Sequence, residues 1–115
     1  MSLLFFQVSK HNSSNISLEY HYHFSIKHLH NDPYIIDSLG WALFKLERYK
    51  ESKNYLQLAL RLMPADPIVN DHYGDVLWKN GNEIQARYYW NYVLNLEKAE
   101  KDLKEKVEKK LIKGL

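Results

Sequence analysis

The sequence predicts an all-α fold, a solenoid of helical hairpins, and three observations support that fold class. A nine-residue segment, Asp37–Lys45, recurs as Asp71–Lys79 with four identical positions. The same 34-residue offset relates two Asp-Pro pairs, at positions 32–33 and 66–67. After each pair, apolar residues recur at the 3.6-residue spacing of a helix. A fixed period of this length indicates stacked units, each unable to bury its apolar face alone.

The first hairpin is predicted to begin at Asp32. Asp as the N-cap, followed by Pro at the first helical position, is a helix start signal because Pro lacks an N–H where none is needed. The first helix is expected to run from Pro33 to about Leu46. A short turn at residues 47–48 and a second helix ending before Pro64 complete the hairpin.

The second hairpin repeats this arrangement. Its first helix is expected from Pro67 to Asn80, and its second from Glu83 to about Leu96. Gly81 is predicted to take the left-handed conformation that ends the first of these helices. Short connections of this kind join antiparallel neighbouring helices.

The segments outside the two hairpins predict a partial repeat before them and a capping helix after them. When they are shifted by one period, residues 18–31 align with the second helix of a hairpin. Residues 1–17 are expected to be poorly ordered. Leu103, Val107 and Leu111 form one narrow apolar line under a charged exterior, as a terminal capping helix requires. A direct continuation of the preceding helix is the alternative. The predicted division of the chain is therefore 1–17, 18–31, 32–65, 66–98 and 99–115.

Length and composition restrict the classes of protein. The 115 residues provide for one domain, and the net charge of +2 arises from seven Lys against five acids in residues 97–115. The balanced remainder implies no broad field for nucleic acid or membranes. There is no Cys, no stretch of about 20 apolar residues and no signal-peptide pattern, so we expect a cytoplasmic protein without cofactors.

The repeated positions resemble the tetratricopeptide repeat (TPR) family, whose unit is a 34-residue helix–turn–helix. The matching positions are Leu39, Gly40, Ala59 and Pro64 in the first hairpin and Gly74, Ala86 and Trp90 in the second. Asn70 and Lys98 depart from the family pattern. The fold class is therefore expected to be TPR-type, with two full repeats, a partial N-terminal repeat and a C-terminal capping helix. Residues 32–44, together with residues 70–78, also look like the C-terminal end of longer bacterial TPR proteins.

The resemblance implies a concave groove lined by the first helix of each hairpin, which in this family holds an extended peptide or a partner helix. The candidate groove residues are Tyr34, Asp37, Trp41, Phe44, Lys45, Asp71, Asp75, Trp78 and Lys79. An alternative is that Phe44 and Trp78 simply pack between repeats. Trp41 is expected to be exposed, because its counterpart is Asp75 and an Asp is rarely fully buried.

Three carboxylates, those of Asp37, Asp71 and Asp75, are predicted at the centre of this groove. They should repel an acidic peptide tail, so the expected partner is a neutral or basic protein segment. The functional prediction is a non-catalytic protein–protein interaction module.

Two alternatives remain open: an RNA-binding helical repeat, and a truncated fragment of a larger scaffold without independent function. Self-association through the N-terminal edge is also considered. Enzymatic activity and metal binding are not expected, because the chain has no nucleophile–base pair and no phosphate-binding loop. On a helix, His21 and His28 would lie roughly opposite His23 and His30, so no face would gather three metal ligands. One further histidine, His72, is expected near the groove.

Overall fold

The computed structural model describes residues 32–115, and these fold into five helices without a β-strand. The helices are α1 (Pro33–Lys45), α2 (Tyr49–Leu62), α3 (Pro67–Lys79), α4 (Glu83–Leu94) and α5 (Lys101–Lys113). Successive helices pack against each other, so α1 with α2 and α3 with α4 form two hairpins. This arrangement confirms the predicted helical-hairpin fold class. The predictions for residues 1–17 and 18–31 lie outside the described residues.

The two Asp-Pro pairs begin helices as predicted. The Asp32 side chain accepts hydrogen bonds from the backbone N–H groups two and three residues later, at 3.1 and 3.4 Å. Asp66 does the same at 2.9 and 3.0 Å. Each carboxylate thus satisfies N–H groups that have no partner within the helix.

The two glycines shared by the hairpins lie where the paired helices approach most closely. A Cβ added to Gly40 would lie 2.7 Å from the side chain of Leu56. A Cβ added to Gly74 would lie 2.5 Å from the ring of Trp90. In the first hairpin, the buried Ser52 hydroxyl also donates a 2.7 Å hydrogen bond to the Gly40 carbonyl. A larger side chain at either glycine would therefore push the hairpin apart.

The turns within the two hairpins share a left-handed residue, although only one of them is a glycine. Gly81 has a φ of 88°, as predicted, and nothing lies close to its missing Cβ. Glu47, at the equivalent position of the first hairpin, has a φ of 61°. Nothing in the sequence indicates this strain, because a glutamate does not mark a left-handed position. The backbone conformation is thus repeated even where the residue type is not.

Replacing Glu47 with Gly is expected to stabilise the protein by up to about 1 kcal/mol, because glycine adopts a positive φ without the Cβ clash. The matched change, Gly81→Ala, should destabilise it by about 1 kcal/mol. Urea unfolding followed by circular dichroism measures both. An unfolding midpoint for Glu47→Gly at or below that of the wild type would contradict this account.

The repeat period extends to α5. Helices α1, α3 and α5 are each 13 residues long, and each begins one full period after the one before it. Residues 95–100 separate α5 from α4, so α5 is not a continuation of that helix. It packs against α4 with Val107 fully buried and with Leu103 and Leu111 partly buried. It therefore takes the place that the first helix of a third hairpin would have.

The apolar core is continuous through the second hairpin and α5. Its fully buried members include Leu56 from α2, Val76 from α3, Trp90 from α4 and Val107 from α5. Smaller clusters join α1 to α2 and to α3. Among residues 32–115, no helix has the length and apolar character needed to cross a membrane.

Candidate binding groove

The nine predicted groove residues lie on α1 and α3, and they differ widely in exposure. Tyr34 is 63% exposed, and Lys45 and Lys79 are also exposed. The half-buried members are Trp41, Phe44 and Trp78, and the buried ones are Asp37, Asp71 and Asp75. The accessible part of the predicted groove is thus aromatic and basic, whereas its carboxylates are enclosed.

Trp41 is held in an aromatic stack. Its ring lies 4.6 Å from that of Phe44, with 7° between the planes. The His72 ring of α3 lies 4.1 Å from it, at 12°. The Lys45 ammonium is 5.1 Å from the centre of the indole, within the range of a cation–π contact. These contacts fix the orientation of a large ring that remains partly exposed.

His72 also connects α3 to α1 through a carboxylate. Its Nδ1 lies 2.9 Å from Oδ2 and 3.0 Å from Oδ1 of Asp37. An ionised carboxylate only accepts hydrogen bonds, so Nδ1 is the donor in this pair. The first of the three predicted groove acids is therefore engaged by the neighbouring helix.

The other two acids are engaged by α5. The Lys110 ammonium donates a 2.8 Å hydrogen bond to Asp71 and bonds of 2.9 and 3.1 Å to Asp75. The indole N–H of Trp90 donates to the same Asp75 carboxylate at 3.0 Å. One lysine thus bridges two buried carboxylates on α3, and a tryptophan from α4 completes the cluster.

This cluster corrects one expectation drawn from the sequence. Trp41 was expected to be exposed because an Asp occupies the equivalent position, but Asp75 is only 4% exposed. Its burial is possible because Lys110 supplies an opposite charge and Trp90 supplies a further donor. The expectation that Asp75 is exposed was wrong, so it did not predict the environment of Trp41, which is half-buried.

The titration of this cluster follows from its burial. Burial and, to a smaller extent, the nearby Asp71 charge raise the pKa of Asp75 to about 6, while Lys110 and the Trp90 hydrogen bond act in the opposite direction. Burial lowers the pKa of Lys110, but the two carboxylates outweigh it and leave that pKa above its usual value. Asp75 therefore depends on the lysine for its ionised form.

Trp78 is covered on several sides. It stacks on Trp90 at 5.5 Å, and the Arg87 guanidinium lies 4.8 Å from its ring centre. Gly114 lies directly against it, since a Cβ there would come within 2.1 Å of the ring. Phe44 likewise packs edge-on against Tyr49 at 5.3 Å. These contacts support the interpretation in which Phe44 and Trp78 pack within the stack.

Candidate groove positions on α5 were not predicted from the sequence. The 34-residue offset carries Asp71, Asp75 and Trp78 onto Glu105, Lys109 and Ile112, and all three of the latter are exposed. Ile112 is 83% exposed. The signal that identifies them is the offset itself, but Glu108 replaces the glycine found at positions 40 and 74 and so concealed the period.

Within the part of the chain that the structure describes, no three His, Asp or Glu side chains cluster closely enough to hold a metal ion. The four histidines at positions 21, 23, 28 and 30 lie outside those residues.

Together, the stacked hairpins and the row formed by α1, α3 and α5 define a helical-repeat protein, a class that presents extended binding surfaces. Residues 33–66 match the sequence model of the tetratricopeptide repeat. Residues 33–66 are therefore identified as a tetratricopeptide repeat, a unit that generally mediates protein–protein interactions. That residues 66–98 form a second repeat remains our prediction. No curated protein matches the chain.

Proposed function

We propose that this protein is a non-catalytic interaction module that binds a peptide segment or partner helix along the row of α1, α3 and α5. The observation that carries the proposal is the Trp41 platform, a partly exposed indole fixed by Phe44 and His72. Because the ring is already ordered, little side-chain entropy is lost when a partner packs on it. Tryptophan and tyrosine are also the residues most enriched among binding hot spots.

Two further exposed side chains support ligand binding along the same row. Tyr34 is 63% exposed and Ile68 is 55% exposed, and they occupy the second position of α1 and α3, respectively. They lie one period apart, so the repeat presents the same apolar position twice. An elongated ligand would meet both of these side chains as well as Trp41.

The carboxylates of the row contribute little to an accessible charge. Asp37 is paired with His72, and the other two acids with Lys110, and all three are buried. We therefore assign the binding free energy to the apolar contacts. The preference for a neutral or basic ligand rests on the presence of the three acids and stays a prediction, because Lys45 and Lys79 are exposed on the same row.

Replacing Tyr34 and Trp41 together with Ala is expected to weaken partner binding by about tenfold or more, because each removes an aromatic anchor. Quantitative mass spectrometry of proteins captured from a cell extract identifies candidates, and calorimetric titration with a purified candidate gives the affinities. Trp78 is left unchanged, because its packing on Trp90 and Gly114 makes its loss a change in stability.

Ile84→Ala is the matched control, since Ile84 is 87% exposed on α4, away from this row. Circular dichroism establishes that the variants are equally folded. Undiminished partner affinity in the Tyr34/Trp41 variant would contradict the proposed site. Capture of RNA with a steep salt dependence would instead favour the nucleic-acid alternative.

A further inference from the structure

A second surface lies between α2 and α4, the second helices of the two hairpins. It contains two pockets of about 590 and 510 Å³, and Tyr88 and Tyr89 line both of them. We call this pair of pockets the tyrosine furrow. Its α2 side includes Lys53 and Arg61. Pockets of this size accommodate individual ligand side chains or a short segment of chain.

The tyrosines of the furrow are fixed by edge-to-face packing. Tyr89 lies 4.9 Å from Tyr73, with the planes at 86°, and 5.1 Å from Tyr88, at 85°. Tyr73 is buried beneath them, whereas Tyr88 is 67% exposed. The furrow therefore has a rigid aromatic wall whose outermost ring is free to contact a ligand, at a small cost in conformational entropy.

The charges of the furrow have one sign. Lys53 and Arg61 are the charged residues among those lining the two pockets, and no carboxylate lines either pocket. Within residues 32–115, neither of these cations has an ion-pair partner. Burial and the neighbouring Tyr89 raise the pKa of Tyr73, whereas the charge of Arg61 acts to lower it, so the guanidinium influences the base of the furrow.

We infer that the tyrosine furrow binds an extended peptide segment that carries acidic side chains. The unpaired Lys53 and Arg61 complement carboxylates, and the tyrosine rings provide contact area for the apolar side chains between them. The side-chain amides of Asn54 and Gln57 also line the furrow and match the donors and acceptors of a peptide backbone. Nucleic acid is a poorer fit, because its affinity arises from many phosphate contacts and the furrow offers two cations.

This surface goes beyond the proposed function of the α1–α3–α5 row. The row offers mainly apolar contacts, whereas the furrow adds two cations that favour acidic segments. The furrow is lined mainly by α2 and α4, with Asn70 and Tyr73 of α3 at its base, and it shares no lining residue with the row. A protein with both surfaces would hold two different segments at once.

The test is selection from a random dodecapeptide display library on the wild-type protein, followed by fluorescence polarisation with the enriched peptides. We expect enrichment of Asp and Glu over the unselected library. The acidic peptides should bind Arg61→Gln and Tyr88→Ala about tenfold more weakly than the wild type. Ile84→Ala and Lys101→Gln, which change exposed residues outside the furrow, should leave this affinity unchanged.

Because Arg61 and Tyr88 are exposed, both variants should fold, and circular dichroism establishes this. Selection without acidic enrichment, or equal binding by Arg61→Gln, would overturn the inference. Binding of a dodecamer of oligouridine with the same dependence on Arg61 and Tyr88 would also overturn it. The Tyr34/Trp41 variant should retain the acidic peptides, so failure of the furrow and failure of the row are distinguishable.

Discussion

Replacing Lys110 with Met is expected to destabilise the protein by about 3–5 kcal/mol at neutral pH, because it leaves buried carboxylates without their counter-charge. The ammonium is the shared partner of Asp71 and Asp75, at 2.8 and 2.9 Å. Methionine keeps the length and apolar stem of lysine, so the change isolates the charge. Urea unfolding at pH 7.5 measures the loss.

The matched control is Lys109→Met, which changes an exposed lysine on the same helix. Its effect should stay within about 0.5 kcal/mol. Adding Asp75→Asn to Lys110→Met should recover part of the lost stability, because the amide removes one buried charge and still accepts the Trp90 N–H. Equal stability of Lys110→Met and Lys109→Met would show that the cluster does not hold α5 in place.

The loss caused by Lys110→Met should shrink as the pH falls from 8 to 5. Asp75 has a pKa of about 6 when folded, above its ordinary 3.8, so its contribution to stability is complete below pH 3.8 and is lost as the pH rises through about 6. The raised pKa of Lys110 contributes stability below its ordinary 10.5, so the lysine stays charged throughout this range. Below pH 6 the Asp75 carboxyl is neutral, and it no longer requires the missing ammonium.

The hairpins were predictable from the sequence because their signals are local. The Asp-Pro starts, the turn glycine Gly81 and the close-packing glycines Gly40 and Gly74 each act within one helix or one hairpin. A conformation or a close approach that favours one residue type can be predicted from that residue in the sequence. Glu47 shows the limit of such prediction. The same hairpin geometry gives it a left-handed backbone, but no glycine in the sequence indicates that conformation.

The environment of the groove acids was not predictable in the same way. Periodicity gives the face of a helix on which a residue lies, but not which side chain of another helix reaches it. Lys110 is 35 and 39 residues from Asp75 and Asp71, and α5 had been assigned only an apolar stripe. A general preference for exposed Asp then led to the wrong environment for Asp75. The contact that decides it depends on how α5 packs beside α3.

The position of α5 also changes how the row of first helices is understood. A capping helix was expected only to cover apolar surface, and Val107 with its neighbours does so. The same helix in addition neutralises two acids of α3 and seats Gly114 against Trp78. The last helix therefore contributes to the shape and charge of the proposed binding row as well as to stability.

Replacing Trp90 with Ala is expected to destabilise the protein by about 3–5 kcal/mol, because it removes the largest fully buried side chain of residues 32–115. The ring packs against Gly74, stacks on Trp78 and donates its N–H to Asp75. Its loss opens a cavity and leaves a buried carboxylate with one donor fewer. Thermal unfolding and urea titration measure the change.

Two companion variants show whether the loss reflects buried packing at position 90. Tyr88→Ala removes an aromatic ring from the exposed side of α4 and should change stability by about 0.5 kcal/mol at most. Trp90→Leu copies Leu56, the residue at the equivalent position of the first hairpin, and should lose less than Trp90→Ala because more of the cavity is filled. If the Leu and Ala variants were equally unstable, the missing N–H to Asp75 rather than the cavity would be the main cause. If Tyr88→Ala matched Trp90→Ala, the assignment of the core to the buried face of α4 would be wrong.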